Sequence, residues 1–241
     1  MHTAMAALLL TARLYSLVDV PPGDRVAATV VAGNILRSAG IDMMWTDCNQ
    51  RPSSDRLATN QVCLTPPRTD EVMVRVVAAP ASASGSQKAG MDTLGDAYVD
   101  TAAASGSLAT VYVDRVALMA HSAGIDTGTL LGRVMAHEIG HLLLGTATHR
   151  ASGLMRAEWS AALLQRRMAN DWRLSRPDAA QARAGLLRRT TLLSAHPPAA
   201  TLPCAALSML STQAICPSCP VCATLLPADR MSFDLLVEPR F

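Results

Sequence analysis

The residues of this chain best suited to chemistry are the five of His137–His141, which form an H-E-x-x-H run. On an α-helix, residues four apart are separated by about 6 Å of rise and about 40° of rotation. The imidazoles of His137 and His141 therefore project from one face and can reach one small cation. Glu138 lies where its carboxylate can reach a water beside the metal. Because Zn²⁺ binds neutral imidazole nitrogens and keeps an open position in catalytic sites, the run predicts a zinc site.

A packed, hydrogen-bonded histidine pair is the alternative, because H-E-x-x-H also occurs by chance. The flanking residues favour zinc. They are largely apolar on both sides, so the helix is expected to be buried, where two imidazoles and a carboxylate would be costly without a partner. Gly145 then supplies a helix stop, and a third histidine, His149, follows four residues later.

Together with Gly145, His149 and Met155, the run resembles the metzincin clan of zinc peptidases, whose pattern is H-E-x-x-H-x-x-G-x-x-H followed by a Met-turn. The resemblance implies three zinc ligands, at His137, His141 and His149. It also implies that Glu138 is the general base and that Met155 is the Met-turn residue beneath the metal. The run HEIGHLLLG, with the histidine and methionine after it, is also similar to that of uncharacterised bacterial proteins.

The chain departs from the metzincin pattern at two spacings. Gly145 comes one residue late, and His149 lies eight residues after His141 instead of six, so the turn must be longer. Glu158 is an alternative third ligand, because some zinc peptidases take a Glu from a later helix, although nothing resembling that helix surrounds it. No Tyr follows Met155, so a transition-state donor would have to come from elsewhere.

The elements that must position these residues predict an α/β fold. Strands are expected at Arg13–Val18 and Ile41–Trp45, with a helix between them that begins near Pro22, and this order favours a parallel pair with a right-handed crossover. Residues 48–70 are expected to form a loop, and Glu71–Ala78 a third strand.

The second half of the predicted domain holds the metal site. Leu108–Val116 is expected to be a strand, and a candidate edge strand for an extended peptide substrate. The active-site helix is expected over about residues 127–144. Further helices are expected to contain Trp159, Leu163 and Leu164, and to run from Pro177 to Arg189. The resemblance implies a metzincin-like mixed, twisted sheet with an active-site helix and a Met-turn lower subdomain.

One zinc peptidase domain is expected over residues 13–190. Residues 1–12 are a candidate degenerate signal segment, since they are apolar but lack a preceding Lys or Arg; the alternative is the lead into the first strand. Residues 191–241 form a tail rich in Pro and Cys with no sustained period. The C-x-x-C spacing of Cys216, Cys219 and Cys222, with Cys204 upstream, could hold a metal. Disulfides or free thiols are favoured instead, because a second full C-x-x-C pair is missing and no His is close.

Composition limits the classes of binding partner that are expected. A net charge of +2 and an aromatic content of 3% give no support to nucleic-acid binding, and no apolar run reaches the 18 or so residues of a transmembrane helix. A peptide or protein substrate is expected, and the sequence leaves the oligomeric state open. Cys48 and Cys63 could form a disulfide if the protein is exported, and a pair of free thiols is the alternative. An extracytoplasmic location is favoured over the cytoplasm.

A different class of function competes with the peptidase. The chain could be a non-catalytic zinc-binding protein, or a degenerate peptidase fold that serves as a binding module. The altered spacing and the missing Tyr favour this alternative. Glu138 argues against it, because a purely structural zinc site has no use for that carboxylate.

Overall fold

The computed structural model describes residues 8–49, 57–80, 93–166 and 169–195, all within a unit that spans residues 1–198. The strands are β1 (Leu8–Ser16), β2 (Ile41–Asp47), β3 (Glu71–Val77), β4 (Gly95–Asp100) and β5 (Ser105–Tyr112). The helices are α1 (Pro22–Arg37), α2 (Leu57–Leu64), α3 (Val113–Ala123), α4 (Thr127–Leu144), α5 (Ala161–Leu164) and α6 (Arg176–Ala195), with a 3₁₀ turn at Ala169–Trp172. Residues 1–7 of the predicted signal segment and the four cysteines of the predicted tail lie outside the described residues.

The five strands form one mostly parallel sheet in the order β2-β1-β3-β5-β4. The first four are mutually parallel, and β4 pairs antiparallel with β5. Helix α1 connects the parallel neighbours β1 and β2, which confirms the predicted parallel pair. The chain is therefore a mixed α/β protein, as its sequence indicates.

Three sequence assignments are wrong, and one strand is missing from the predictions. The predicted loop 48–70 contains α2, and the predicted strand Leu108–Val116 ends at Tyr112, where α3 begins. Within α3 the buried residues recur at helical spacing, at Val116, Ala120 and Ala123, whereas strand alternation is confined to β5. Trp159, predicted to belong to a helix, precedes α5, and strand β4 was not predicted at all.

Both boundaries of the predicted domain also lie inside regular elements. Residues 8–12 belong to β1, where Leu10 and Ala12 are fully buried, so they fit the alternative of a lead into the first strand. Helix α6 continues past residue 190 to Ala195. No helix in the described part of the chain is long and apolar enough to cross a bilayer.

The helix that bears H-E-x-x-H occupies the predicted residues 127–144. Its N-cap is Asp126, whose side chain accepts a hydrogen bond from the backbone N–H of Thr129 at 2.7 Å. It packs against α1, α6, β4 and β5, and almost every residue of the helix is buried. The histidines of this helix are therefore held in the interior by apolar neighbours on several sides.

The segment around α2 is fastened to β1 by covalent and polar contacts. Cys48 and Cys63 form a disulfide with their Cα atoms 5.6 Å apart. The buried guanidinium of Arg13 forms an ion pair with Glu71 and donates to the carbonyl oxygen of Thr65 at 2.6 Å. The hydroxyl of Tyr15 donates to the carbonyl oxygen of Cys63 at 3.1 Å.

This buried ion pair predicts a large stability effect far from the histidines. Glu71→Gln should lower the free energy of unfolding by about 3 kcal/mol, because it leaves the buried charge of Arg13 without a counter-charge. The matched control is Asp42→Asn, which breaks the exposed Arg37–Asp42 pair and should cost under about 1 kcal/mol. Urea denaturation of both variants measures the difference, and equal losses would contradict the prediction.

Candidate metal centre

Helix α4 presents two buried imidazoles one turn apart. His137 and His141 are 7% and 5% exposed, and their Nε2 atoms lie 3.1 Å from each other. Two nitrogens bound to one tetrahedral zinc at about 2.0–2.1 Å would lie about 3.3 Å apart. The separation on this helix is therefore close to that of two ligands of a single ion.

Backbone carbonyl groups fix the tautomer of both rings. The Nδ1 atom of His137 lies 2.7 Å from the carbonyl oxygen of Leu154, and that of His141 lies 2.8 Å from the carbonyl oxygen of Thr146. A carbonyl oxygen can only accept, so in each neutral ring the proton is on Nδ1 and Nε2 carries a lone pair. Hydrogen bonds of this kind orient metal-binding histidines, and here they leave the Nε2 lone pair of both rings available for a metal.

His149 completes a group of three. Its ring centroid lies 5.3 Å from that of His137 and 4.9 Å from that of His141, and one ligand atom from each ring lies within 4.8 Å of the others. His149 is exposed, whereas the other two are buried. Three histidines thus lie close enough together to bind a metal ion.

The turn that brings His149 back begins at a left-handed glycine. Gly145 has φ of 65° and ends α4, with its N–H donating to the carbonyl oxygen of His141 at 3.0 Å. Glycine adopts this conformation without the strain of a Cβ atom. The carbonyl oxygen of Thr146, the next residue, accepts the hydrogen bond from Nδ1 of His141. The turn between His141 and His149 therefore contains the acceptor that orients one of the three histidines.

Burial keeps the two helical histidines neutral. It lowers the pKa of His137 to about 4, and it also lowers the pKa of His141 below its ordinary value. Both rings are therefore neutral at neutral pH, with Nε2 unprotonated. A metal ion binding there would not have to displace a proton from either Nε2.

Glu138 lies beside this group on the wall of an open cleft. Its side chain packs on Gly95, where an added Cβ would lie 2.9 Å from the Glu138 Oε1 atom. Burial, and to a smaller extent the nearby carboxylate of Asp96, raise the pKa of Glu138 to about 8. A cation at the histidines would act in the opposite direction and favour the ionised carboxylate.

Met155 packs against the metal-site helix from the side of the following loop. It is buried, and an added Cβ on Gly140, between the two helical histidines, would lie 2.6 Å from the Met155 sulfur. The carbonyl oxygen of the neighbouring Leu154 binds the ring of His137. Both residues therefore contact the part of α4 that bears the histidines.

The cleft encloses about 910 Å³ and runs past His137, Glu138 and His149. One wall is formed by residues 93–95 at the start of β4, and apolar side chains line its interior, at Met119, Val134, Trp159 and Leu163. The ring of Trp159 lies perpendicular to that of His137, with centroids 5.5 Å apart. Glu158, the alternative third ligand, lines the cleft but does not join the histidine group.

The prediction that Leu108–Val116 forms an edge strand is wrong. Strand β5 is paired on both sides, by β3 and by β4, so it has no free edge. Strand β4 borders the cleft instead, and none of the described strands pairs with its outer edge. Sequence reasoning also missed Trp159 and the carbonyl groups of Thr146 and Leu154, because backbone acceptors leave no signal in residue types.

The comparisons with known proteins add no relatives to this description. No protein-family model matches the chain, and no curated protein matches it. The assignment of the site therefore depends on its residues and their geometry.

We expect the purified chain to bind one divalent cation. His149→Ala should weaken binding strongly, because it removes one of three converging ligands. His121→Ala is the matched control, since His121 is an exposed histidine of α3 outside the group, and it should leave the affinity unchanged. Titration against a chromophoric chelator measures both variants. Unchanged affinity in His149→Ala would show that the third ligand lies elsewhere.

Proposed function

We propose that the protein is a zinc-dependent endopeptidase of the metzincin type. The observation that supports this most is the position of Glu138, a carboxylate in the same open cleft as His137 and His149. A site that held a metal only for stability would need neither the carboxylate nor the cleft. Three imidazoles leave the fourth position of a tetrahedral ion available for chemistry.

The donor set favours zinc over other biological cations. All three ligands are imidazole nitrogens, whereas Mg²⁺ and Ca²⁺ prefer oxygen ligands. The spacing of the two Nε2 atoms agrees with the short bonds and tetrahedral angles of zinc sites. Among the described residues no carboxylate or thiolate joins the group.

Zinc, when bound, supplies Lewis-acid chemistry by activating a water and polarising the scissile carbonyl. Glu138 takes the proton of the attacking water and delivers it to the leaving amine. Burial strengthens it as a base, and the nearby positive charge favours its unprotonated form, so it accepts a proton near neutral pH. Its contact with Gly95 keeps the carboxylate in place at the cleft wall.

An extended peptide is the substrate that fits this cleft. Strand β4 has a free outer edge within the described part of the chain, and residues 93–95, where it begins, form a cleft wall. A peptide that adds to β4 as a further strand would gain backbone hydrogen bonds and pass in front of Glu138. The apolar side chains inside the cleft would then receive a side chain of that peptide.

No Tyr follows Met155, and Arg156 is the candidate hydrogen-bond donor to the transition state in its place. It immediately follows Met155, lines the cleft, and forms no side-chain hydrogen bond or ion pair with another described residue. The other cleft arginine, Arg150, is already bound to Asp178. We assign to Arg156 the stabilisation of negative charge that develops on the substrate carbonyl oxygen.

The metzincin assignment is supported by the placement of Met155 under α4 and by the antiparallel strand β4 that borders the cleft. The non-catalytic alternative is favoured by the longer turn between His141 and His149. The disulfide between Cys48 and Cys63 supports a location outside the reducing cytoplasm, which we propose for this protein.

Glu138→Gln separates the peptidase from the non-catalytic alternative. Gln keeps the shape of the side chain but cannot accept a proton, so turnover of a quenched peptide pool should fall by about 10²–10⁴-fold. Zinc content should remain at one ion per chain. A non-catalytic zinc protein would show no chelator-sensitive turnover in the wild type, and wild-type turnover in Glu138→Gln would assign the base to another residue.

Arg156→Gln tests the proposed donor. We expect kcat to fall by about 10²–10³-fold with KM and zinc affinity little changed, because the lost interaction forms mainly in the transition state. The matched control is Arg173→Gln, which removes an exposed arginine outside the cleft and should leave kcat unchanged. An effect on KM alone would mean that Arg156 binds substrate and does not stabilise the transition state.

A further inference from the structure

The loop that carries His149 is fastened to α6 by a charged hydrogen-bonded pair. Arg150 follows His149 directly, and its Nε and Nη2 atoms donate to the Asp178 Oδ1 atom at 3.0 and 2.9 Å. The side chain of Asp178 is 4% exposed, whereas that of Arg150 is 40% exposed. The carboxylate is thus a buried, fixed partner for an arginine on the surface of the loop.

The other oxygen of Asp178 is also occupied. The hydroxyl of Ser175 donates to Oδ2 at 2.7 Å, and the backbone N–H of Asp178 donates back to the Ser175 hydroxyl at 3.2 Å. This reciprocal pair lies at the start of α6. The carboxylate therefore has little freedom to follow Arg150 if the loop moves.

The same segment also supports the His137 side of the site. The backbone N–H of Leu154 donates to the carbonyl oxygen of Arg173 at 2.9 Å, and the carbonyl oxygen of Leu154 binds the ring of His137. The backbone N–H of Arg150 donates to the carbonyl oxygen of Met155 at 2.7 Å, which closes the loop on itself. Residues 173–178 thus contact both ends of the loop.

Helix α6 is in turn fixed on the end of α4 that bears His141. Gln181 donates to the carbonyl oxygen of Leu144 at 2.9 Å, and Arg189 donates to that of Leu142 at 2.9 Å. Both acceptors belong to the last turn of α4, whose carbonyl groups have no partner within the helix. Asp178 is therefore held at a constant position relative to the helical histidines.

We propose that Asp178 is a positioning residue of the metal centre, which acts through Arg150 to hold His149 beside His137 and His141. This role rests on the proposed zinc site. It is needed because His149 is the exposed member of the group and lies beyond a longer turn. Fixing that turn before the metal binds removes conformational freedom that zinc binding would otherwise have to restrict.

Zinc affinity of the full chain, measured by chelator competition, tests the proposal. Asp178→Asn should weaken binding by about 10–100-fold, the usual effect of losing a group that orients a ligand. Arg150→Gln should reproduce the loss, and because its side chain is half exposed it keeps the test valid if Asp178→Asn does not fold. Glu71→Gln, which breaks a buried ion pair elsewhere, should lower stability without changing the affinity.

The decisive comparison uses His149→Ala as the background. If Asp178 acts through His149, adding Asp178→Asn to His149→Ala should weaken zinc binding no further. An additive loss would overturn the proposal, because it would show a general structural effect. Wild-type affinity in Asp178→Asn would overturn the role of Asp178 and leave the metal centre in place. A wild-type protein that binds no zinc would overturn both.

Discussion

The unprotonated Nε2 atoms of His137 and His141 lie 3.1 Å apart on a buried helix, and the surrounding structure holds them at this separation. Buried polar groups are unfavourable unless they find partners, and two facing lone pairs cannot serve as partners for each other. A cation between them removes the conflict. The pairing of each Nδ1 with a backbone carbonyl group prevents the simpler solution, in which one ring would donate to the other.

The fold supplies the rigidity that such a site needs. Helix α4 is enclosed by the sheet, α1 and α6, and carbonyl groups of its last turn are bound by side chains of α6. The loop from His149 to Met155 contacts the helix, and the backbone carbonyl group of Leu154 in this loop binds the ring of His137. Most of the site is therefore positioned by main-chain groups and by buried helices, and only His149 depends on an exposed turn.

The local part of this architecture is readable from sequence. The pair His137 and His141 follows from helical periodicity, and the bounds of α4 follow from its cap at Asp126 and its stop at Gly145. Strands β1, β2 and β3 are apparent from alternation and runs of apolar residues. Strand β4 borders the cleft but could not be predicted, because it is short and follows a stretch rich in Ala, Ser and Gly.

Contacts between distant residues could not be predicted. Nothing in the sequence joins Arg150 to Asp178, 28 residues later, or Leu154 to the ring of His137. Helix α2 lies in a segment with loop-like composition and is held by Arg13 and a disulfide, which are tertiary constraints. The positions of Arg156 and Trp159 on the cleft wall likewise follow only from the folded structure.

X-ray absorption at the zinc edge of the purified protein tests the central claim most directly, because it counts the ligands of the ion without an assay of activity. The proposed zinc centre predicts three imidazole nitrogens at about 2.0–2.1 Å and one further light ligand that an added inhibitor can replace. A fourth, non-exchangeable protein ligand, or sulfur at about 2.3 Å, would contradict an open catalytic site and favour a structural one.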